Sequence, residues 1–402
     1  TGLRPDGIGI YNLSTFFGKN IPNIVTLPQH FKENGYQTEQ VGKIFHTGHG
    51  NSDDSLSWSK PKWKPDQLLG ELTPLVRKDT TGLESDFPKK DGKMLPYYAS
   101  NVPEGNMTDS RNVTIAIERL KKLKEKPFFL AVGLIKPHLP FVAPKKYWDM
   151  YDENNIIVPE KQIPKNMPEY ALADFGELRK YYGIPAEGNL DNNISKSLIH
   201  GYRACTSYID AQVGRLLDAI EENGLSNNTI IILWGDHGWK LGEYGSWCKH
   251  SNMEMDVNAP LIISSPGKRK NVKTQAIVEF LDIYPTLCEL AGLQKPKHLQ
   301  GTSLTPILMD PNKKIKDFAI SQYPREKGNR IMGYSIRTEK YRYTRWIKFN
   351  SPNKEIVEQE LYDLSNEKTP IVNFAYDKEY RKTVKELNRK LSKELTKYTT
   401  YK

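Results

Sequence analysis

Three short clusters bring together residue types suited to holding an anion and moving a proton near it. Asp236-His237-Gly238 directly follows 229–234, a nearly continuous apolar run. In open α/β sheets ligands collect beyond the carboxyl ends of strands. A carboxylate there can hold a hard cation such as calcium, and a neutral imidazole can complete its shell. Taken alone, the triplet more often describes a strand-end aspartate capping the next turn. Lys43 and His46 stand three positions apart just past an expected strand, where an ammonium and an imidazole can point into one crevice. Surface pairs of that spacing are common. His138 sits in Lys136-Pro137-His138-Leu139-Pro140. Proline fixes φ on both sides of the histidine, a placement suited either to protonating a departing alkoxide or to a structural role in a rigid turn.

The elements expected to carry these clusters alternate strand and helix, the pattern of a mainly parallel sheet covered on both faces. Thr26-Leu27-Pro28 caps and opens a helix that Gly35 closes, and a strand follows at about 39–45. Val113, Ile117 and Leu120 recur at helical spacing before a buried apolar strand at 127–134. The clearest helix spans 195 to about 223, with Leu198, Tyr202, Cys205, Ile209, Val213, Leu216 and Ile220 on one stripe and Gly224 as its stop. The run at 229–234 reads as a central strand buried on both faces. Another strand is expected at 260–264 and a helix at 283–290, while 51–101 reads as loop. The composition changes after Pro311. Strands at 318–322, 332–337 and 341–348, the last two joined by a tight turn at 338–340, precede a basic helix. The expected layout is an α/β domain over 1–314 and a smaller C-terminal α+β subdomain over 315–402, an antiparallel sheet plus helix.

The chain has 402 residues, long enough for a large core. Lys and Arg exceed Asp and Glu by 58 − 48 = 10. That balance suits anionic partners or a solvated lysine surface, and much of it falls in 378–402. No arginine-rich block or aromatic-basic repeat points to nucleic acid, and no stretch approaches the roughly 18 apolar residues of a membrane helix. Cys205, Cys248 and Cys288 form no metal-ligand pair. Cys205 and Cys288 fall on apolar helical faces, as buried thiols do. Five N-x-S/T sequons, at Asn12, Asn106, Asn112, Asn193 and Asn227, fit a glycosylated lysosomal or secreted product.

Set among their neighbours, the three clusters resemble the sulfatase family. Asp236 to Gly245 followed by Trp247-Cys248-Lys249-His250-Ser251-Asn252 is similar to its calcium and sulfate motif. The runs Gln29-His30-Phe31-Lys32-Glu33-Asn34-Gly35-Tyr36, Val41-Gly42-Lys43-Ile44-Phe45-His46-Thr47-Gly48 and Pro127-Phe128-Phe129-Leu130-Ala131-Val132-Gly133 continue the match. Ala259-Pro260-Leu261-Ile262, Asp282-Ile283-Tyr284-Pro285-Thr286-Leu287, Ser321-Gln322-Tyr323-Pro324-Arg325 and Glu360-Leu361-Tyr362-Asp363-Leu364 extend it. The likeness is greatest to the iduronate-2-sulfatase branch. It implies an alkaline-phosphatase/sulfatase-like fold and removal of the 2-sulfate from iduronate ends of heparan or dermatan sulfate. It implies Asp236 and His237 as calcium ligands, and Lys43, His138, Trp239 and Lys249 as substrate contacts. His138 would be the general acid, and His46 would position the nucleophile.

That nucleophile is, by resemblance, a formylglycine made from Cys-x-Pro-Ser-Arg a few residues before a Thr-Gly. Thr1-Gly2-Leu3-Arg4-Pro5-Asp6 resembles the trailing part, and none of the three cysteines has proline two positions later. The expectation is therefore an upstream segment carrying the nucleophile and a pair of aspartates, with these 402 residues inactive alone. Two other readings stand beside it: an inactive sulfatase-like glycan-binding protein, and a metal-dependent phosphoesterase on the same fold, which would use a richer Asp/His set. Arg337 and Arg342 read either as polymer contacts or as ordinary surface charge.

Overall fold

The computed structural model describes residues 1–46, 51–60, 88–327, 329–349, 355–366 and 369–397. Two compact units divide it: 26–159 with 175–229, and 1–25 with 160–174 and 230–402.

In the first unit, α1 (Leu27–Glu33) begins at Thr26, whose side chain accepts the Gln29 N–H, and ends before Gly35 at φ +87°. It leads into β1 (Gln37–Gly42). β2 (Tyr97–Ser100) follows, then α2 (Thr108–Leu123), β3 (Phe128–Gly133), β4 (Phe141–Pro144) and α3 (Asn192–Glu222). β1 pairs in parallel with β3, and β2 in parallel with β4. The strand expected to reach Phe45 stops at Gly42. The reason is steric and conformational: Gly42 has φ +75°, and a Cβ on it would lie 2.0 Å from the Gly133 carbonyl oxygen.

α3 starts earlier than its apolar pattern suggests. Asp191 caps it, accepting N–H bonds from Asn193 and Ile194. Its buried face is also rotated from the expected stripe. Leu198 and Cys205 are buried as expected, alongside His200, Ala204, Tyr208, Gln212 and Ala219. Polar members are tolerated because they are bonded: His200 Nε2 lies 2.9 Å from the Trp148 carbonyl, and Gln212 donates to Glu104. A fully buried Leu198 side chain contributes roughly 1.5–3 kcal/mol. The stretch read as loop over 51–101 contains β2 and a short hairpin, Lys89–Lys90 with Lys93–Met94. Its 61–87 portion lies outside the described residues.

In the second unit, β5 (Ile231–Trp234) runs antiparallel to a later strand rather than lying in a parallel set. Nor is it buried on both faces: Leu233 and Trp234 are 40% and 41% exposed. Past it come the two-residue strands β6 (Lys240–Leu241) and β7 (Trp247–Cys248), paired antiparallel. The helical turn α4 (Glu254–Val257), β8 (Leu261–Ser264), which is the partner of β5, and α5 (Ile283–Leu290) follow.

The C-terminal part is a four-stranded antiparallel meander of β9 (Phe318–Lys327), β10 (Asn329–Thr338), β11 (Tyr341–Lys348) and β12 (Ile356–Asp363), with α6 (Arg381–Leu395). Met332, Ile336, Tyr343, Leu361, Leu387 and Leu391 form its core. β12 has no counterpart in the expected elements. No described helix is long and apolar enough to cross a membrane.

Candidate functional site

Asp236 and His237 occupy the bend past the carboxyl end of β5. The Asp236 side chain is 71% exposed, and its Oδ1 lies 3.6 Å from His237 Nε2. The other ring nitrogen of His237 is 2.7 Å from the Gly238 carbonyl, which fixes the ring orientation. Trp239 stacks on the His237 ring with centroids 5.9 Å apart. The Lys249 ammonium lies 4.6 Å from the Trp239 ring centre. Four of the residues singled out from sequence thus share one surface of this unit.

What holds them there is a buried ion pair. Lys240 Nζ donates to both carboxylate oxygens of Asp256, at 2.5 and 2.6 Å, and Ser251 Oγ donates to the same carboxylate. Burial pulls the Lys240 amine below its ordinary value, with the Asp256 carboxylate opposing. The Asp256 carbonyl also accepts the Gly238 N–H at 2.7 Å. A Cβ on Gly238 would fall 2.0 Å from the Met255 carbonyl oxygen, so this approach needs glycine. One residue therefore grips the segment behind His237, the strand after Trp239 and the turn after Lys249. Tyr244, Cys248 and His250 have φ of 58°, 65° and 81°. Such strain at three non-glycine positions persists only where surrounding contacts over-determine the backbone.

The other candidates belong to the first unit. Lys43 follows β1, its backbone N–H bonded to the Gly133 carbonyl at 3.0 Å, and both Lys43 and His46 are exposed. Thr47 and Gly48 of the same motif lie outside the described residues. His138 stands in a turn that Asp109 organises by accepting the N–H groups of Ile135 and Lys136 at 2.9 and 3.0 Å. Lys136, itself buried, donates to the Pro140 carbonyl. His138 Nδ1 lies 2.8 Å from the Leu139 carbonyl and Nε2 lies 2.9 Å from Glu177 Oε1. Glu177, Asp109, Lys240 and Asp256 are the residues the sequence reading missed.

For a bound calcium, Asp236 and His237 offer one carboxylate and one imidazole. Among the described residues no group of three or more His, Cys, Asp or Glu could hold a metal ion. Calcium takes six to eight oxygen ligands, so the described donors are too few for it by themselves.

Arg337 and Arg342 are not loose surface charge, since both are ion-paired with Glu254. Arg342 is 3% exposed and donates to Glu254 at 2.5 Å and to Ser335 at 3.2 Å. Arg337 reaches the same Glu254 oxygen at 3.0 Å. All three cysteines are buried, and burial pushes the Cys288 thiol up to about 11. Of the sequon asparagines, Asn12, Asn193 and Asn227 are exposed, whereas Asn106 and Asn112 are half-buried.

The family model described as Sulfatase matches residues 1–293, and that of the N-sulphoglucosamine sulphohydrolase C-terminal region matches 242–397. Iduronate 2-sulfatase of Homo sapiens is 34% identical over 87% of this chain and 75% of its own length. A protein called Sulfatase from Formosa agariphila is 30% identical over 98% of the chain and 75% of its own length. Among solved structures, one in complex with its substrate D-glucosamine-2-N,6-O-disulfate superposes with a TM-score of 0.72 at 21% identity, covering 99% of this chain and 86% of that one. A phosphonate monoester hydrolase from Silicibacter pomeroyi gives 0.78 at 16% identity, covering 100% and 85%. At those identities the structural likeness speaks for the fold.

Proposed function

The chain belongs to the sulfatase family of sulfate-ester hydrolases, and from that premise we propose that its substrate is a 2-sulfated iduronate at the end of heparan or dermatan sulfate. The observation that carries the reading is the His237–Trp239–Lys249 stack at the end of β5. It offers an ammonium for a sulfate oxygen and an indole face for a sugar ring, both on a rigid support. The 34% identity to human iduronate 2-sulfatase supports the choice of sugar.

In this reading Lys43 and Lys249 bind the sulfate and offset the charge that grows on its oxygens as the ester bond breaks. His138, oriented through Leu139 and Glu177, delivers a proton to the departing sugar oxygen. His46 assists at the attacking group, and Trp239 contacts the sugar. Asp236 and His237 would supply two of the ligands of a divalent cation, and the described residues offer too few others to complete its shell. A formylglycine hydrate supplies the attacking oxygen in such enzymes. No cysteine of these 402 residues stands in Cys-x-Pro-Ser-Arg, and the polypeptide by itself is proposed to bind without turnover. The sequons support a lysosomal or secreted setting, and 315–402 is proposed as the C-terminal subdomain.

Calorimetric titration tests the reading. Iduronate 2-sulfate is expected to bind more tightly than glucosamine 6-sulfate, with Lys249→Ala abolishing the difference. 4-Methylumbelliferyl-iduronide 2-sulfate is expected to stay intact with residues 1–402 alone. Equal binding of the two sugars would remove the proposed specificity, and release of methylumbelliferone would remove the proposed inactivity.

A further inference from the structure

α6 is basic in an ordered way. Leu387 and Leu391, 4% and 0% exposed, fix its inner face against the C-terminal sheet. On the opposite side Lys382, Lys385, Arg389 and Lys393 are all exposed. At 100° per residue their spacing confines them to a stripe about 80° wide and roughly 16 Å long. Of the acids on this helix, Glu394 projects away from the stripe and pairs with Lys397 at 2.6 Å, while exposed Glu386 borders it and pairs with Lys390 at 2.9 Å, with the charges of Arg389 and Lys382 also acting on it. None of the four stripe cations forms an ion pair with a described residue.

Lys385, Arg389 and Lys393 succeed one another at i, i+4, where like charges repel and weaken a helix. A solvated surface helix would ordinarily intersperse acids along such a row. A row of four cations with one bordering acid, itself paired outside the row, is instead the electrostatic complement of an extended polyanion.

We propose that this stripe is a binding site for the chain of a sulfated polysaccharide, additional to the residues assigned to the terminal sulfate. Of the proposed function the inference borrows only the choice of polyanion. Insertion into a membrane surface would need an exposed apolar face, and here that face is buried against the sheet. Single-stranded nucleic acid would call for aromatic side chains among the cations, and the stripe has none; a duplex, bound through phosphates alone, is separated by the test below.

The test is heparin affinity of the 402-residue protein over a range of salt concentrations. The variant carries Lys382→Gln, Lys385→Gln, Arg389→Gln and Lys393→Gln together, since glutamine keeps helix propensity. It is expected to bind heparin roughly tenfold or more weakly near physiological salt and to lower the slope of log K against log salt by about 3. Control variants are Lys390→Gln with Lys397→Gln, and Lys43→Ala with Lys249→Ala. Both are expected to retain most of the affinity. An unchanged affinity in the stripe variant, or its loss in the Lys43/Lys249 variant instead, would overturn the proposal. So would binding to phosphatidylserine vesicles or duplex DNA that depends on the stripe while heparin binding does not. None of these readings uses turnover or a monosaccharide, so they stand apart from the fate of the proposed function.

Discussion

Lys240 and Asp256 meet ammonium to carboxylate with neither side chain reaching solvent: their side chains are 0% and 2% exposed. Removing one partner of such a pair leaves an uncompensated buried charge, whereas an apolar replacement of both can be nearly neutral. Asp256→Ala is expected to lower unfolding stability by about 3–5 kcal/mol, and Lys240→Met combined with Asp256→Leu by much less. Urea unfolding followed by circular dichroism measures both. Two single variants that each stay within about 1 kcal/mol of the parent would mean the pair does not hold this segment.

Lys249 lies over the Trp239 ring, so an anion drawn to the ammonium should change the environment of the indole. Titration with inorganic sulfate is expected to alter tryptophan emission, and Lys249→Gln to weaken sulfate by roughly tenfold, the value of one charge-assisted hydrogen bond. Trp239→Phe should keep the affinity within about threefold, a ring face being retained for the cation, while the emission change disappears. Equal sulfate affinity in the parent and Lys249→Gln would take Lys249 out of the site.

Acid should loosen the second unit through two carboxyls. Burial pushes Glu254 up, but Arg342 and then Arg337 outweigh it and hold the group below the ordinary carboxylate range. Glu279 is likewise raised by burial and lowered further by Arg4 and Lys316, with the Ile320 N–H helping. A folded pKa below the unfolded one gives stability that is full above the unfolded value, about 4.3 for glutamate. That stability is lost as pH falls through the folded value. The melting temperature is therefore expected to be flat from pH 7.5 to 5.5 through these groups and to drop below about pH 4.3. Glu254→Gln should show a shallower drop from a lower plateau. Parallel curves for parent and variant would sink this assignment.

Glycosylation should follow exposure. Expressed in a eukaryotic secretory system, the protein is expected to carry glycans at Asn12, Asn193 and Asn227 and to leave half-buried Asn106 and Asn112 unmodified. Peptide mass mapping after enzymatic deglycosylation reads each site separately. Full occupancy of Asn112, on the face of α2 near Gly42, would contradict the described packing.

Local signals were legible where they act locally. Thr26 and Gly35 bound α1 as their types require, and the apolar strand ahead of Asp236 put that residue at a strand end. The Lys249 motif was visible as a string of letters, yet the groups that position it were not. Lys240 sits inside a polar-looking stretch, and its partner Asp256 is remote in sequence. Glu177 reaches His138 across 39 positions (177 − 138), and nothing in its own surroundings marks it. β12 escaped because Glu360, 2% exposed, breaks the alternation that signals a strand. Its carboxylate is satisfied by Trp346 Nε1–H and the Tyr362 hydroxyl, partners that only the folded sheet supplies. The early start of α3 was readable in Asp191 and was passed over because the apolar period began later.

The burial of all three cysteines has a practical corollary. Maleimide reagents need an accessible thiolate, and Cys205, Cys248 and Cys288 offer none at the surface of the native protein. A single cysteine introduced on the outer face of α6 could therefore carry a fluorophore or spin probe without first stripping the natural thiols, making the native background a silent one for distance and mobility measurements.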